Sequence, residues 1–171
     1  MIHVILYQPE IPQNTGNIMR TCAATGAILH IIGPLPFVIN DRSLLRAGMD
    51  YLSSLEWYYY DSLDAFFARN PQVSEGLYCA TRYGKIPHSS MNFHDVSRDY
   101  YVVFGRESTG LPPQLLQMHF NTSFRIPMKA HARSLNLSNT VAIVVYEMLR
   151  QMNYYGLSTL EHLKSENPFD Q

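Results

Sequence analysis

HVILYQPEIPQNTGNIMRTCAATGAILHII, residues 3–32, is the stretch whose reading decides the fold. Its ends, HVILY (3–7) and ILHII (28–32), are short apolar runs rich in β-branched residues. Runs apolar on both faces read as strands buried inside a parallel sheet. Between them, residues 14–25 carry helix punctuation: Pro12 and a capping Asn14 or Thr15 at the start, and Gly26 at the end. Strand, helix, strand is the repeating unit of an open α/β fold.

The alternation continues outward. LYCAT (77–81), DYYVVFG (99–105) and SFRIPM (123–128) predict further strands. Helical patterns follow Asp41 (RSLLRAGM), Asp61 (SLDAFFARN, ending before Pro71) and the pair Pro112 and Pro113; the last is RSLNLSNTVAIVVYEMLRQ (133–151). A chain of 171 residues and 19.6 kDa suits one domain. We expect it to span residues 1–156, with a polar tail over 157–171 whose end, SENPFDQ, is poorly ordered.

Composition narrows the function classes. A net charge of −1 and a pI near 6.6 give no global basic footprint. Any nucleic-acid contact must then come from a local cationic patch or from surfaces pooled in an oligomer. Cys22 and Cys79 form neither a disulfide framework nor a zinc pattern, so a reducing cytoplasm is the simplest compartment. No export signal or membrane span is visible. The seven histidines show no ligand spacing, His88 and His94 included, and no metal is expected. GxGxxG after a strand, GxxxxGK[ST], GxSxG and HExxH are all missing, which argues against dehydrogenase, kinase, hydrolase and metalloprotease chemistry.

In open α/β sheets, ligands collect at the carboxyl ends of the strands. Three of the loops there hold unusual residues: PEIPQNTGNIMR, GRESTGLP and MKAHARSLNLSN. Arg20 has Gly16, Asn17, Ala23 and Ala24 as its helical neighbours, none of them a carboxylate. It is either a solvated cation or a planar fork held ready for a phosphate or developing oxyanion. Glycines bracket GRESTGLP, allowing close backbone approach, though a plain strand-to-helix turn has the same composition. Arg133, Ser134, Asn136, Ser138 and Asn139 surround one helix start, where a cap requires one residue. The surplus favours binding. The helix that follows is apolar on all faces from Val141 to Val145, which suits a deep core or a subunit interface.

Taken together, NTGNIMRTCAATG, FGRESTGLP and RIPM followed by RSLNLSN resemble the three signature motifs of the SPOUT superfamily of RNA methyltransferases. LYQPEIPQNTGNIMR and the compact length are most similar to the small tRNA (cytidine/uridine) 2′-O-methyltransferases, over residues 3–156. The resemblance implies a single-domain parallel α/β sheet flanked by helices, with a C-terminal deep trefoil knot. It also implies an S-adenosylmethionine pocket. Carried over by position, its cofactor residues are Ala80, Gly105, Glu107, Ile126, Met128, Ser134 and Leu135. Arg20 matches the residue assigned to the ribose hydroxyl, acting across a homodimer on cofactor held by the partner subunit. Asn136 matches a catalytic position, and Arg133 and Asn14 lie on the RNA side. Two departures stand out: RYGK (82–85) replaces the more usual TTKG, and FGRE replaces FGPE.

The implied reaction is methyl transfer to the ribose 2′-oxygen of the wobble nucleotide in a tRNA anticodon stem-loop, with leucine acceptors the expected substrates. Arg42, Arg46 and WYYY (57–60) are candidate contacts to splayed bases, although the aromatics serve equally as core or edge-strand residues. Two alternatives stay open. One is a ribosomal RNA 2′-O-methyltransferase, a class that commonly carries an added RNA-binding domain; the other is a non-catalytic RNA-binding factor.

Overall fold

The strand and helix patterns close into one sheet in the computed structural model, which describes residues 1–39 and 54–160. In chain order the elements are β1 (Ile2–Tyr7), α1 (Pro12–Thr25), β2 (Ile28–Ile32), β3 (Trp57–Tyr60), α2 (Leu63–Arg69), β4 (Leu77–Ala80), β5 (Ile86–Pro87), β6 (Tyr100–Phe104), α3 (Pro113–Met118), β7 (Ser123–Arg125) and α4 (Leu137–Gln151). The seven strands lie in the order β3-β2-β1-β6-β4-β7-β5, every neighbouring pair parallel. The helix expected after Asp41, with Arg42 and Arg46, lies outside the described residues, as does the SENPFDQ tail.

Alternate residues of the central strands face opposite layers. Val4, Leu6, Val102 and Phe104 pack under α1 and α4 with Ile18, Met19, Val144 and Met148. Ile5, Val103 and Cys79 pack under α2 and α3 with Phe66 and Leu115. Each such fully buried apolar side chain contributes about 1.5–3 kcal/mol. Cys22 and Cys79 belong to different layers, and burial pushes both thiols up to about 12. Neither is suited to act as a nucleophile. Among the described residues no helix is long and apolar enough to cross a membrane, and no group of three metal-ligating side chains converges.

The structure corrects several boundaries. WYYY forms β3, an edge strand with Tyr58 and Tyr59 exposed and Tyr60 buried. β7 stops at Arg125, before Pro127, which has no N–H to continue a ladder. At α1 the expected side-chain cap is absent: the N-cap is Ile11, Pro12 is the first helical residue, and Asn14 and Thr15 are already inside the helix and buried. Gly26 ends α1 as expected, in the left-handed conformation at φ 70°. The last helix begins at Leu137, with Asn136 as its cap. It buries Val141, Val144, Val145 and Met148 but leaves Ile143 39% and Tyr146 49% exposed. It is core on one side and apolar surface on the other.

Two features fix the sheet's interior. His3 Nδ1 and His30 Nε2 lie 3.0 Å apart, and His30 Nδ1 is 3.1 Å from the Tyr60 hydroxyl, which accepts from Asn70 Nδ2 at 3.2 Å. The row closes with Tyr60 donating to His30 Nδ1 and His30 Nε2–H donating to His3 Nδ1, or with the opposite tautomers and both directions reversed; the first gives the Tyr60 hydroxyl proton an acceptor. His3 Nε2–H is then left 3.8 Å from Asp99. Elsewhere, residues 81–85 carry the chain from β4 across β7 to β5, and Gly84 rests on the backbone of Phe124.

Both features generate expected outcomes. Burial, joined by the neighbouring His3, pushes His30 down to about 4, whereas an unfolded histidine titrates near 6.5. Below pH 6.5 the unfolded chain therefore takes up a proton that the native chain refuses. This contribution to stability is complete above 6.5 and is lost as pH falls towards 4, by on the order of 3 kcal/mol. Urea unfolding across that window should show the loss, and His30→Gln should flatten it. A Cβ at Gly84 would sit 2.6 Å from Phe124 Cα, so Gly84→Ala should cost about 3 kcal/mol or more in the same assay.

Candidate functional site

The strand order reverses between β1 and β6: the chain leaves β1 towards β2 on one side, and leaves β6 towards β7 on the other. A crevice opens at such a switch point, outside the carboxyl ends of the strands. The loops after β1 and β6 meet there through two reciprocal carboxylates. Glu10 accepts from Arg106 Nη2 at 3.0 Å and from the N–H and hydroxyl of Ser108, each at 2.8 Å. The Ser108 hydroxyl and N–H, with the Arg106 guanidinium, hold its carboxyl below the ordinary carboxylate range. Arg106, the departure from FGPE, is thus tied to Glu10.

Glu107 reaches back the other way. It accepts from the N–H groups of Glu10 at 2.8 Å and Ile11 at 3.3 Å, at the start of α1, and from Asn14 Nδ2 at 3.0 Å. A side chain from another loop therefore holds the residues that lead into α1, where negative charge also suits the helix dipole. Asn14, 5% exposed, passes the link on: its Oδ1 accepts from Asn136 Nδ2 at 2.8 Å. Asn136 Oδ1 accepts from the N–H of Ser138 at 2.9 Å and of Asn139 at 3.3 Å, capping α4. One hydrogen-bonded row, Glu107 to Asn14 to Asn136, joins all three motif loops.

Around this row lie two connected hollows. A small apolar cavity of about 100 Å³ is lined by Ala80, Phe124, Ile126, Met128, Ser134 and Leu135. It shares Ala80, Ser134 and Leu135 with a polar cleft of about 680 Å³, to which Asn14, Gly105, Glu107, Arg133 and Asn136 also contribute. Every residue that the resemblance assigned to the site lines one hollow or both, with the exception of Arg20. Arg20 is on the exposed face of α1, six residues beyond Asn14, a rise of about 9 Å along the helix. The sequence reading missed Glu10, Ser108 and the hollows' Thr81, Arg82 and Tyr83. Their signal was position in loops that follow strands and, for Arg82 and Tyr83, the departure of RYGK from TTKG.

A hollow with an apolar end and a polar end suits a ligand with a flat base at one end and charged groups at the other. Gly105 keeps the cleft's wall thin, since a Cβ there would sit 2.6 Å from the Gly110 carbonyl oxygen. Arg106 and Gly110 pair across this turn, with Gly110 at φ 74°.

Comparison with known proteins follows the same lines. The family described as SpoU rRNA Methylase matches residues 1–146. A relative from Geobacillus stearothermophilus is 52% identical over 157 residues, 92% of this chain and 99% of its own length. One from Escherichia coli (strain K12), named tRNA (cytidine(34)-2'-O)-methyltransferase, is 44% identical over 158 residues, 91% of this chain and 97% of its own. A solved structure concerned with the 2-OH methylation of C/U34 on tRNA is 38% identical with a TM-score of 0.79, covering 90% of this chain and 97% of that one. The SpoU methyltransferase AviRb from Streptomyces viridochromogenes, solved with AdoMet, is 25% identical with a TM-score of 0.75, covering 89% of this chain and 60% of that one.

The polarity of the Asn row can be tested. Asn136→Asp keeps the volume and the cap of α4 but sets an acceptor against Asn14 Oδ1, so it should cost about 1–3 kcal/mol in chemical unfolding. The same change in a Glu107→Gln background should cost less, because the introduced carboxamide can donate and let the Asn14 amide turn over.

Proposed function

This chain belongs to the SpoU rRNA methylase family, and from that premise we propose that it moves the methyl group of S-adenosylmethionine to the ribose 2′-oxygen of the first anticodon nucleotide of tRNA, a cytidine or modified uridine. The observation that carries the reading is the meeting of the three motif loops at one crevice through Glu107, Asn14 and Asn136. The names and near-complete coverage of its relatives support the substrate. Leucine acceptors, to which the resemblance points, are the first tRNAs to assay.

The residues present fit the cofactor. Ala80, Ile126, Met128 and Leu135 would hold the adenine in the apolar cavity, with Gly105 and Ser134 at the polar end. When bound, the cofactor supplies a methyl group already activated on a sulfonium. The protein's task is then alignment and charge stabilisation. Glu107 acts by holding the start of α1 and Asn14, and Asn136 by fixing the loop that carries Ser134 and Leu135. Arg133, exposed at the rim, suits an RNA phosphate.

A guanidinium offers only donors, so the role of Arg20 is to orient the 2′-hydroxyl and stabilise the oxyanion while the proton passes to water or phosphate. It lies outside this chain's cleft, and a homodimer resolves the separation by letting each subunit's Arg20 serve its partner. Apolar Ile143 and Tyr146, exposed on α4 where it packs beside α1, support such an interface. The knot belongs to the same reading; the place of β7 between β4 and β5, with Gly84 of the short 81–85 link against the Phe124 backbone, supports it. Activity on tRNA would be exercised in the cytoplasm.

Calorimetry should detect S-adenosylmethionine binding, and the absence of binding would overturn the reading. Arg20→Ala should lower kcat by about 100- to 1000-fold with cofactor affinity retained. Arg20→Lys should fall nearly as far, since an ammonium lacks the planar fork. Co-expressing the Arg20→Ala chain with a Leu135→Arg chain, each inactive alone, should restore methylation if Arg20 works across the dimer; failure to complement would assign it to its own subunit.

A further inference from the structure

Beside the cofactor cleft runs a second groove of about 670 Å³, which the reaction above does not use. Tyr7, Pro112, Pro113, Leu116 and Gln117 form one part of its lining. Tyr83, Arg106 and residues 109–111 line both hollows and so make the ridge between them. The groove is therefore continuous with the cleft. Its lining combines flat faces, from two tyrosines and two prolines, with a guanidinium and a carboxamide. No carboxylate is found among the described residues that line it.

Tyr83 is the conspicuous member. It is 71% exposed, yet it stands on a constrained turn: its N–H donates to Thr81 Oγ1 at 3.3 Å, and the next residue, Gly84, rests on the Phe124 backbone. The Arg82 guanidinium is 5.4 Å from its ring centroid. Exposed Lys85 follows in the same turn, its ammonium 5.3 Å from the ring of exposed Phe120. An exposed aromatic ring on a constrained turn that also carries Arg82 and Lys85 offers what single-stranded nucleic acid requires: a π-face for the base and charge for the phosphates. This turn is RYGK, where the chain departs from TTKG.

We propose that the groove seats the base of a nucleotide adjoining the methylated one in the RNA loop, stacked on Tyr83, with Arg82 and Lys85 neutralising the flanking phosphates. The proposal rests on the RNA methyltransferase reading and adds to it a specificity element outside the motifs. Tyr83 touches neither the reacting oxygen nor the methyl group. Its loss should therefore weaken use of the RNA and spare the cofactor.

The test uses full-length protein, S-adenosylmethionine labelled on its methyl group, and anticodon stem-loops with or without an abasic site on either side of the target. Tyr83→Ala should lower kcat/KM for the intact stem-loop by about ten- to a hundredfold, and Tyr83→Phe should match wild type. The cofactor Kd by calorimetry and the melting temperature should be unchanged in both. One of the abasic substrates should be poor for wild type by a similar factor yet cost Tyr83→Ala little more. Unchanged kcat/KM in Tyr83→Ala, additive losses on both abasic substrates, or an equal loss of cofactor affinity would each overturn the proposal. Wild-type protein that methylates no stem-loop would overturn the parent reading as well, an outcome separable from these because it precedes any variant.

Discussion

The crevice depends on the direction of one amide. Glu107 is a carboxylate and can only accept, so Asn14 must turn its NH2 to it and its oxygen the other way, towards Asn136. That in turn obliges Asn136 to donate to Asn14 with its nitrogen, leaving its oxygen free for the N–H groups of Ser138 and Asn139. A single polarity rule thereby orients loops 93 and 122 residues apart in the chain. Because Asn14 is buried, leaving it unpaired would cost the desolvation of a polar group, and the row holds as a unit.

The same row ties both helix starts to the site. α1 begins at Pro12 with no side-chain cap, and Glu107 from the loop after β6 accepts from the N–H groups of Glu10 and Ile11 just before it, while α4 takes Asn136 as its cap. The reciprocal Glu10 contacts to Arg106 and Ser108 close the second side of this seam. Loops are ordinarily the mobile part of an α/β fold; here they are cross-braced by charge-assisted hydrogen bonds. A methyl transfer whose electrophile arrives already activated depends chiefly on alignment, and such bracing supplies it.

The sheet places the remaining groups. The reversal between β1 and β6 opens the crevice, and the 81–85 crossing over β7 sets Thr81, Arg82 and Tyr83 on its rim. Gly84 and Gly105 are needed because backbone passes over backbone at both positions, leaving no room for a Cβ. Arg20, exposed on α1, lines neither hollow, and Ile143 and Tyr146 are exposed on α4.

Much was legible in the chain itself. The periodicity of HVILY, ILHII and YYVVF, with Gly26 as a stop, determined parallel strands and intervening helices, because burial on both faces demands continuous apolar runs. The surplus of polar residues around Asn136 pointed to a binding loop, and the resemblance of three motifs pointed to its chemistry. What only the tertiary structure decided was partnership. Asn14 proved to be a link between loops and not the cap of its own helix; Glu107 held that link and the residues leading into the helix; and Arg106 found Glu10 across 96 residues. Local pattern encodes which residues seek a partner, but the partner is set by strand order and crossing, which bring distant loops to one edge of the sheet.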